Sequence, residues 1–400
     1  MTGPFFCERC LADNELRAEV LARGGLVDRC PTCGSQNVKG LPTTDATFRK
    51  VFRALIRLHY SEWEYNTHLG GDPLESLLFG ENEIFSLGPG ASELDFEDAY
   101  LPLEEDWYPD PKDDVSLGGG YWNGSILIGL RADLESGVDS VIRHVLFPGG
   151  AGDVENEALG LLASIRNEID KVMPADTAFF RARLGVGRRY RAKLFGWGGP
   201  SYSYLPHSGS GISAPPVGTA GEGRLNLAGV SVLYLASDRP TAVAELRPHP
   251  GHLVSTAEFR ACGELRVADF ATQDIRDYLS DDRLEVLRRV RSLGALLNVP
   301  VQPDAKVMYV ITRLLGDCLQ SSGFDGVLFK SSLGKGNNLV IFDPTRFGQV
   351  EKSEETFEVR SLAYSLEPRN TMPQDFDRSG YDEDNDDPLS TVFHGLARYR

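Results

Sequence analysis

Four cysteines near the start constrain this chain more tightly than any other feature. They fall as Cys7-x2-Cys10 and Cys30-x2-Cys33, with nineteen residues between the pairs. Each CxxC pair can set two sulfurs on one side of a tight turn, and CPTCG places a glycine where such a knuckle needs one. The spacing fits a four-thiolate zinc site. The opening MTGPFFCERCLADNELRAEV has no basic segment followed by an apolar stretch, so a secretory signal is not expected and the cytoplasm is the expected compartment. There, disulfides are the weaker explanation. Four thiolates leave no position for water, so the metal is expected to be structural and to organise a small zinc-ribbon-like head over residues 1–40. Cys262 and Cys318 stand alone and read as core residues.

Four hundred residues suggest two or three domains, and a hydrophobic fraction of 41% supports ordinary burial. No apolar run approaches the roughly 20 residues that span a bilayer, so no membrane segment is expected. Residues 41–173 read as a helical and acidic region. Within it, Phe48, Phe52, Leu55, Ile56 and His59 recur at helical spacing, and further helices are predicted near 135–146 and 154–172. MPAD at 173–176 is the candidate boundary to the next domain, expected over residues 174–350. There the texture changes. Short apolar strands (FFRARL, VSVLYLA, GHLVSTAEFR, ELRVADF, GVLFKSS, NLVIFDP) alternate with helical runs at 282–297 and 305–321. The alternation lacks regular βαβ spacing, which argues for an α+β fold. Beyond about 351 the chain is polar and acidic, and YDEDNDDP reads as disordered.

The net charge is −17, but its distribution matters more than its total. Residues 81–114 hold twelve acids and one base, and residues 375–387 hold seven acids and one base. Those two stretches carry the whole excess. In contrast, RARLGVGRRYRAK at 181–193 carries six bases and no acid. A local anion site is compatible with this acidic chain, and the acidic 81–114 segment is a candidate to restrict access to it.

The charged residues of the third segment stand where a plain core would not need them. In GRLNLAGVSVLYLASDRPTAVAELRP, a buried strand leads into a helix capped by Ser237 or Asp238, with Pro240 in its first turn. Glu245 follows about two turns into that helix, and Arg224 sits on the turn before the strand. Arg181 interrupts the apolar FFRAR strand, where an unpartnered cation is costly. DGVLFKSSLGKGNNLVIFDP reads as two strands joined by a loop bearing Ser331 and Ser332, without the spacing of a P-loop.

The order FFRAR, GRLN, VLYLASDRPTAVAELRP and FDGVLFKSS…NLVIFDP resembles the RES domain, named for its Arg, Glu and Ser. The resemblance covers about 179–344. It implies an ADP-ribosyltransferase-like fold and an enzyme that consumes NAD, or uses it to ADP-ribosylate a target, as do toxins of bacterial toxin–antitoxin pairs. Arg181, Arg224, Tyr234, Glu245 and Ser331 (or the adjacent Ser332) match the family positions, although EGRLN departs from the common GGRWN form. The head and helices look like N-terminal regions fused to RES or ribonuclease domains in prokaryotic conflict systems.

On that resemblance, Glu245 is expected to stabilise the oxocarbenium-like centre formed when the nicotinamide–ribose bond breaks. Arg181 and Arg224 would fork onto the pyrophosphate. Tyr234 would stack on nicotinamide, and Ser331 would bond a phosphate or the carboxamide. An antitoxin or another regulatory protein is an expected partner. The ADP-ribose acceptor (water, phosphate or a macromolecule) and the oligomeric state stay open. Two other readings stand beside this one. Arg53 and His59, as R-x5-H on a helix, resemble the Arg/His spacing of HEPN ribonucleases, and a non-catalytic zinc-ribbon adaptor would merely bind nucleotide.

Overall fold

The computed structural model describes residues 5–59, 78–79, 83–87, 96, 135–147, 153–192, 201–299 and 307–363. The chain divides into two compact units, one from Met1–Ser136 and Gln273–Ser292, the other from Gly137–Thr272 and Leu293–Tyr399. This division differs from the segments read from the sequence. Residues 137–173 go with the strands that follow them, and 273–292 go with the cysteine-bearing unit. The expected acidic 81–114 screen and YDEDNDDP lie largely or wholly outside the described residues.

In the first unit, β1 (Phe5–Cys7), β2 (Gly25–Arg29) and β3 (Gln36–Pro42) form a sheet ordered β1-β3-β2, with α1 (Asn14–Arg23) between the first two strands. Asp13 caps α1 by accepting from the amides of Glu15 and Leu16. Then α2 (Ala46–His59) buries Phe48, Val51, Phe52, Leu55 and Ile56. These rings join Phe6 and Phe85, whose centroids are 4.5 Å apart, in one core that also takes in Ile275, Tyr278, Leu284 and Leu287. Residues of the head thus share one core cluster with α2 and with Ile275–Leu287. The head is too small to bury Phe5, Phe6 and Val38 alone, and α2 and the 275–287 segment cover them.

The second unit begins with α3 (Ser136–Leu146), α4 (Val154–Ser164) and the single-turn α5 (Arg166–Ile169). The helix expected over 154–172 thus stops early. Ile165 leaves helical geometry (φ −115°, ψ 7°), and the chain enters β4 (Asp170–Met173). The strands that follow are β5 (Ala178–Leu184), β6 (Arg188–Arg191), β7 (Tyr202–Leu205) and β8 (Leu233–Ala236). Next come α6 (Arg239–Ala244), β9 (Leu253–Ala261) and β10 (Leu265–Asp269), then α7 (Asp281–Asn298), which belongs to the first unit through Ser292 and to the second from Leu293, and α8 (Val307–Ser321). The unit closes with β11 (Gly326–Lys330), β12 (Asn337–Ile341), β13 (Phe347–Gln349) and β14 (Glu355–Glu358). The nine-stranded sheet is ordered β13-β9-β5-β8-β12-β11-β10-β4, with β14 also on β9. Only β10 and β11 run parallel among its described pairs. A mostly antiparallel sheet with helices segregated from it is the expected α+β arrangement.

One discontinuity in that sheet positions the site. β5 pairs with β9 along Ala178–Leu184, but it meets β8 only at Phe180↔Ala236. Past that pair the two strands part, and a cavity opens there.

Candidate active site

The cavity measures about 250 Å³ and is lined by Phe180, Arg181 and Ala182 of β5, Tyr234 to Ala236 of β8, and Arg224, Ala242, Glu245, Leu246, Phe329 and Asn338. Its floor is a single register row across four strands. Phe329 pairs with Asn338, Asn338 with Ala236, and Ala236 with Phe180. Side chains of one row emerge on one face of a sheet, so residues far apart in sequence share this wall.

Glu245 stands at the end of α6, not in its middle. Asp238 caps the helix start by accepting from the Thr241 amide at 2.8 Å, but the helix lasts only six residues and Glu245 is its C-cap. Arg247 adopts φ +47° and Pro248 follows, which ends any helical continuation. The carboxylate takes two hydrogen bonds on one oxygen: Ser331 Oγ donates to Oε1 at 2.6 Å and Asn338 Nδ2 donates to it at 2.7 Å. The opposite oxygen, Oε2, has no donor among the described residues.

The Ser331 hydroxyl is engaged within the protein. Its oxygen accepts from the amides of Leu333 (3.1 Å) and Gly334 (2.9 Å) while its proton goes to Glu245. One hydroxyl proton and two lone pairs are thereby all in use. Ser331 fixes both its loop and the carboxylate. The loop itself is locked against α6. Gly336 N donates to Thr241 Oγ1 and Asn337 N to Ser237 Oγ, and a Cβ on Gly336 would fall 2.1 Å from Asp238 Oδ2. Ser332 lies half-buried in the same loop and does not line the cavity.

Both arginines reach the cavity with part of their donor sets engaged. Arg181 Nη1 donates to the Tyr234 carbonyl at 2.7 Å, spanning the gap where β5 and β8 part. Burial, with Arg183 adding repulsion, pulls the Arg181 guanidinium down to about 10. Arg224 Nη2 donates to Val299 O at 2.6 Å and Nη1 to Leu296 O at 3.4 Å, at the C-terminal end of α7 where helix carbonyls gather negative potential. Burial lowers the Arg224 pKa as well, partly offset by Tyr309 and Glu245. The bidentate fork expected of Arg224 is thus directed in part at protein carbonyls.

The GRLN turn explains its own residues. Gly223 N donates to Asn226 O at 3.0 Å, closing the turn, and Asn226 Nδ2 donates to the carbonyls of Gly221, Leu227 and Val230. The Tyr234 hydroxyl donates to Asn226 Oδ1 at 2.9 Å and accepts from the Leu225 amide at 3.0 Å. Burial pushes that phenol up to about 12. With its hydroxyl tied into the turn, Tyr234 presents only its ring to the cavity. Thr312 Oγ1 donates to Arg224 O, and Leu225 packs on Gly316, so α8 clamps the turn from behind.

Sequence reasoning missed Asn338, Phe180 and Phe329 as wall residues. A polar side chain inside the apolar NNLVIF strand was a readable signal for Asn338; the two phenylalanines read only as core.

The other expected cluster also assembles. The sulfurs of Cys7, Cys10, Cys30 and Cys33 all lie within 4.8 Å of one another, with Cys7–Cys10 at 3.6 Å, Cys7–Cys33 at 3.5 Å and Cys10–Cys30 at 3.6 Å. A tetrahedron of Zn–S bonds sets sulfurs ~3.8 Å apart, so the set fits zinc. None of the four is in a disulfide. Gly34 takes φ +71° after Cys33, as the knuckle requires. Four closely spaced sulfurs form a donor set that a bound zinc would hold as thiolates. Of the two lone cysteines, Cys318 is buried as expected but Cys262 is exposed. It follows the last residue of β9, beyond the strand's buried face. Of the Arg53/His59 pair, Arg53 is half-buried on α2, and the His59 side chain lies outside the described residues.

Residues 193–363 match the family model of the RES domain. The chain is α+β, and over residues 193–363 it is similar to the RES domain. Arg224, Tyr234, Glu245, Ser331, Ser332 and Asn338 fall inside the matched span, which runs through β14, while Arg181 lies before its first residue. Among solved structures, a chain of the M. tuberculosis MbcT–MbcA toxin–antitoxin complex matches with 13% identity and a TM-score of 0.28, covering 50% of this chain and 92% of that one. No curated protein matches.

Proposed function

We propose that the RES domain consumes NAD by breaking the nicotinamide–ribose bond at this cavity. The observation that carries the reading is Glu245: a carboxylate with one oxygen held by two donors, on a cavity walled by two largely enclosed arginines and a tyrosine ring. When the C1′–N bond breaks, its electron pair goes to the pyridinium nitrogen, which leaves as neutral nicotinamide. The sugar carbon becomes oxocarbenium-like, and a fixed carboxylate stabilises that charge. An acceptor oxygen then bonds C1′ and gives up its proton. At about 250 Å³ the cavity is below the ~300–1,000 Å³ of pockets that enclose a whole ligand, so it suits the nicotinamide end of the dinucleotide. Arg181 has more of its fork available than Arg224 and is the principal pyrophosphate ligand in this reading. Tyr234 stacks on the nicotinamide ring, and Ser331 acts by holding Glu245.

The four cysteines hold a structural zinc in a ribbon-like head, and the catalytic sheet follows an ADP-ribosyltransferase-like plan. Reduced thiols and an NAD substrate both suit the cytoplasm, and no described helix is long and apolar enough to cross a membrane. Toxin or defence activity, with an antitoxin as its restraint, follows from the family resemblance. The deciding experiment incubates the full chain with NAD. Nicotinamide release is expected, and the co-product (ADP-ribose, its phosphate or a labelled macromolecule) identifies the acceptor. Intact NAD in the presence of folded, zinc-loaded protein would defeat the reading. RNA cleavage under the same conditions would favour the Arg53/His59 helix instead.

A further inference from the structure

We infer that Asn338 is a positioning residue for the Glu245 carboxylate; this rests on the reading of Glu245 as the charge-stabilising group. Asn338 is a buried polar residue, 8% exposed, in the middle of the sheet. Burying an amide is unfavourable unless it is bonded, and its Nδ2 bond goes to Glu245 Oε1 at 2.7 Å. The register row puts it there. With Phe329 on one side and Ala236 on the other, Asn338 is the polar member of the cavity floor, directly beneath the end of α6.

Two donors on one oxygen do what one cannot. Ser331 alone would let the carboxylate pivot about a single bond. Ser331 and Asn338 together fix Oε1 from two elements, a loop and a strand, and this sets where Oε2 stands. Both groups donate, and one carboxylate oxygen can accept from both. The other titratable groups that line the cavity are Arg181, Arg224 and Tyr234. Asn338 does not touch the reacting carbon in this account. It acts through Glu245.

Two substitutions test this. Asn338→Leu keeps the volume and removes the donor; it is expected to lower kcat about 30- to 100-fold with KM for NAD little changed and melting close to that of the wild type. Asn338→Asp supplies a donor only while its acid is protonated. It is expected to keep activity near pH 5 and lose it as pH rises, because two adjacent carboxylates cannot both ionise without repulsion. A crystal structure of Asn338→Leu gives a readout independent of turnover: the Glu245 carboxylate should leave its wild-type position. If the wild type leaves NAD intact, the proposed function fails, and the Glu245 position in Asn338→Leu still decides the positioning role. Full activity in Asn338→Leu, a wild-type pH profile in Asn338→Asp, or an unmoved Glu245 would each overturn the inference.

Discussion

Gly223 and the Tyr234 hydroxyl stand so close that any side chain at 223 would force a shift: a Cβ there would lie 2.6 Å from that oxygen and 2.4 Å from Asn226 Oδ1. The glycine opening the GRLN turn is therefore required by contact, not by an unusual φ. Gly223→Ala is expected to cost ~1–3 kcal/mol by overpacking and to displace Arg224, whose backbone carbonyl is held by Thr312. Thermal melting and NAD titration report the two effects. Unchanged values in both would show that the turn can yield without consequence.

The Tyr234 phenol makes stability depend on pH in the alkaline range. Its folded pKa is raised from 10.0 to about 12 by burial, so the folded state holds the proton more tightly than the unfolded chain. Its contribution is fully present below pH 10 and is lost as pH rises through about 12. Tyr234→Phe should remove that alkaline loss. It should also cost about 1–3 kcal/mol at neutral pH by orphaning Asn226 Oδ1 and the Leu225 amide. Melting across pH 8–11 separates these effects, and parallel curves for the two proteins would remove Tyr234 from the titration.

Arg181 should trade stability for function. Burial depresses its pKa to about 10, which means that its charge at neutral pH is held at a cost in the folded protein. Arg181→Leu is expected to melt no lower than wild type, because relief of that cost offsets the lost bond to Tyr234 O. NAD should no longer raise its melting temperature. A drop of several degrees in the variant would instead assign Arg181 to bridging the split between β5 and β8.

Glu245→Gln keeps an acceptor oxygen for Ser331 and Asn338 while removing the charge. Nicotinamide release is expected to fall ~100-fold or more, the scale of losing one transition-state stabiliser, with NAD affinity nearly kept. A fully active Gln variant would exclude the carboxylate from the chemistry.

For the cysteine cluster, metal analysis should return about one zinc per chain, lost in Cys7→Ser or Cys30→Ser. Because Cys7, Cys10 and Cys30 belong to the same core as Phe6, Phe48 and Phe52, metal removal should lower the melting of the whole first unit. Metal-free protein with unchanged melting would count against a zinc site.

Local physics made much of this protein legible from its sequence. CxxC turns converge their sulfurs because each pair is set by a few adjacent dihedrals, and the glycine of CPTCG does take a left-handed conformation. Apolar runs such as VLYLA and LVIF became strands, and Asp238 became a helix cap, because those preferences act within a few residues. Where a longer-range contact competed, local reading failed. The helix expected to run to 172 ends at Ser164 because Asp170–Met173 pairs with β10. Glu245 lost its helical surroundings to the turn at Arg247 and Pro248.

What the tertiary structure alone decided is which contacts each candidate site residue makes. The sequence named Arg181, Arg224, Tyr234, Glu245 and Ser331, but the bonds between them depend on the register of β5, β8, β11 and β12. Register slides in steps that local patterning does not price, and a shift of one residue would turn Asn338 to the other face. The bond from Asn338 to Glu245 joins residues 93 apart, and that from Arg224 to Val299 joins residues 75 apart. Side-chain types stated which groups were present. Only the folded sheet decided that Ser331 points inward, that Arg224 serves the end of α7, and that an asparagine lies under the carboxylate.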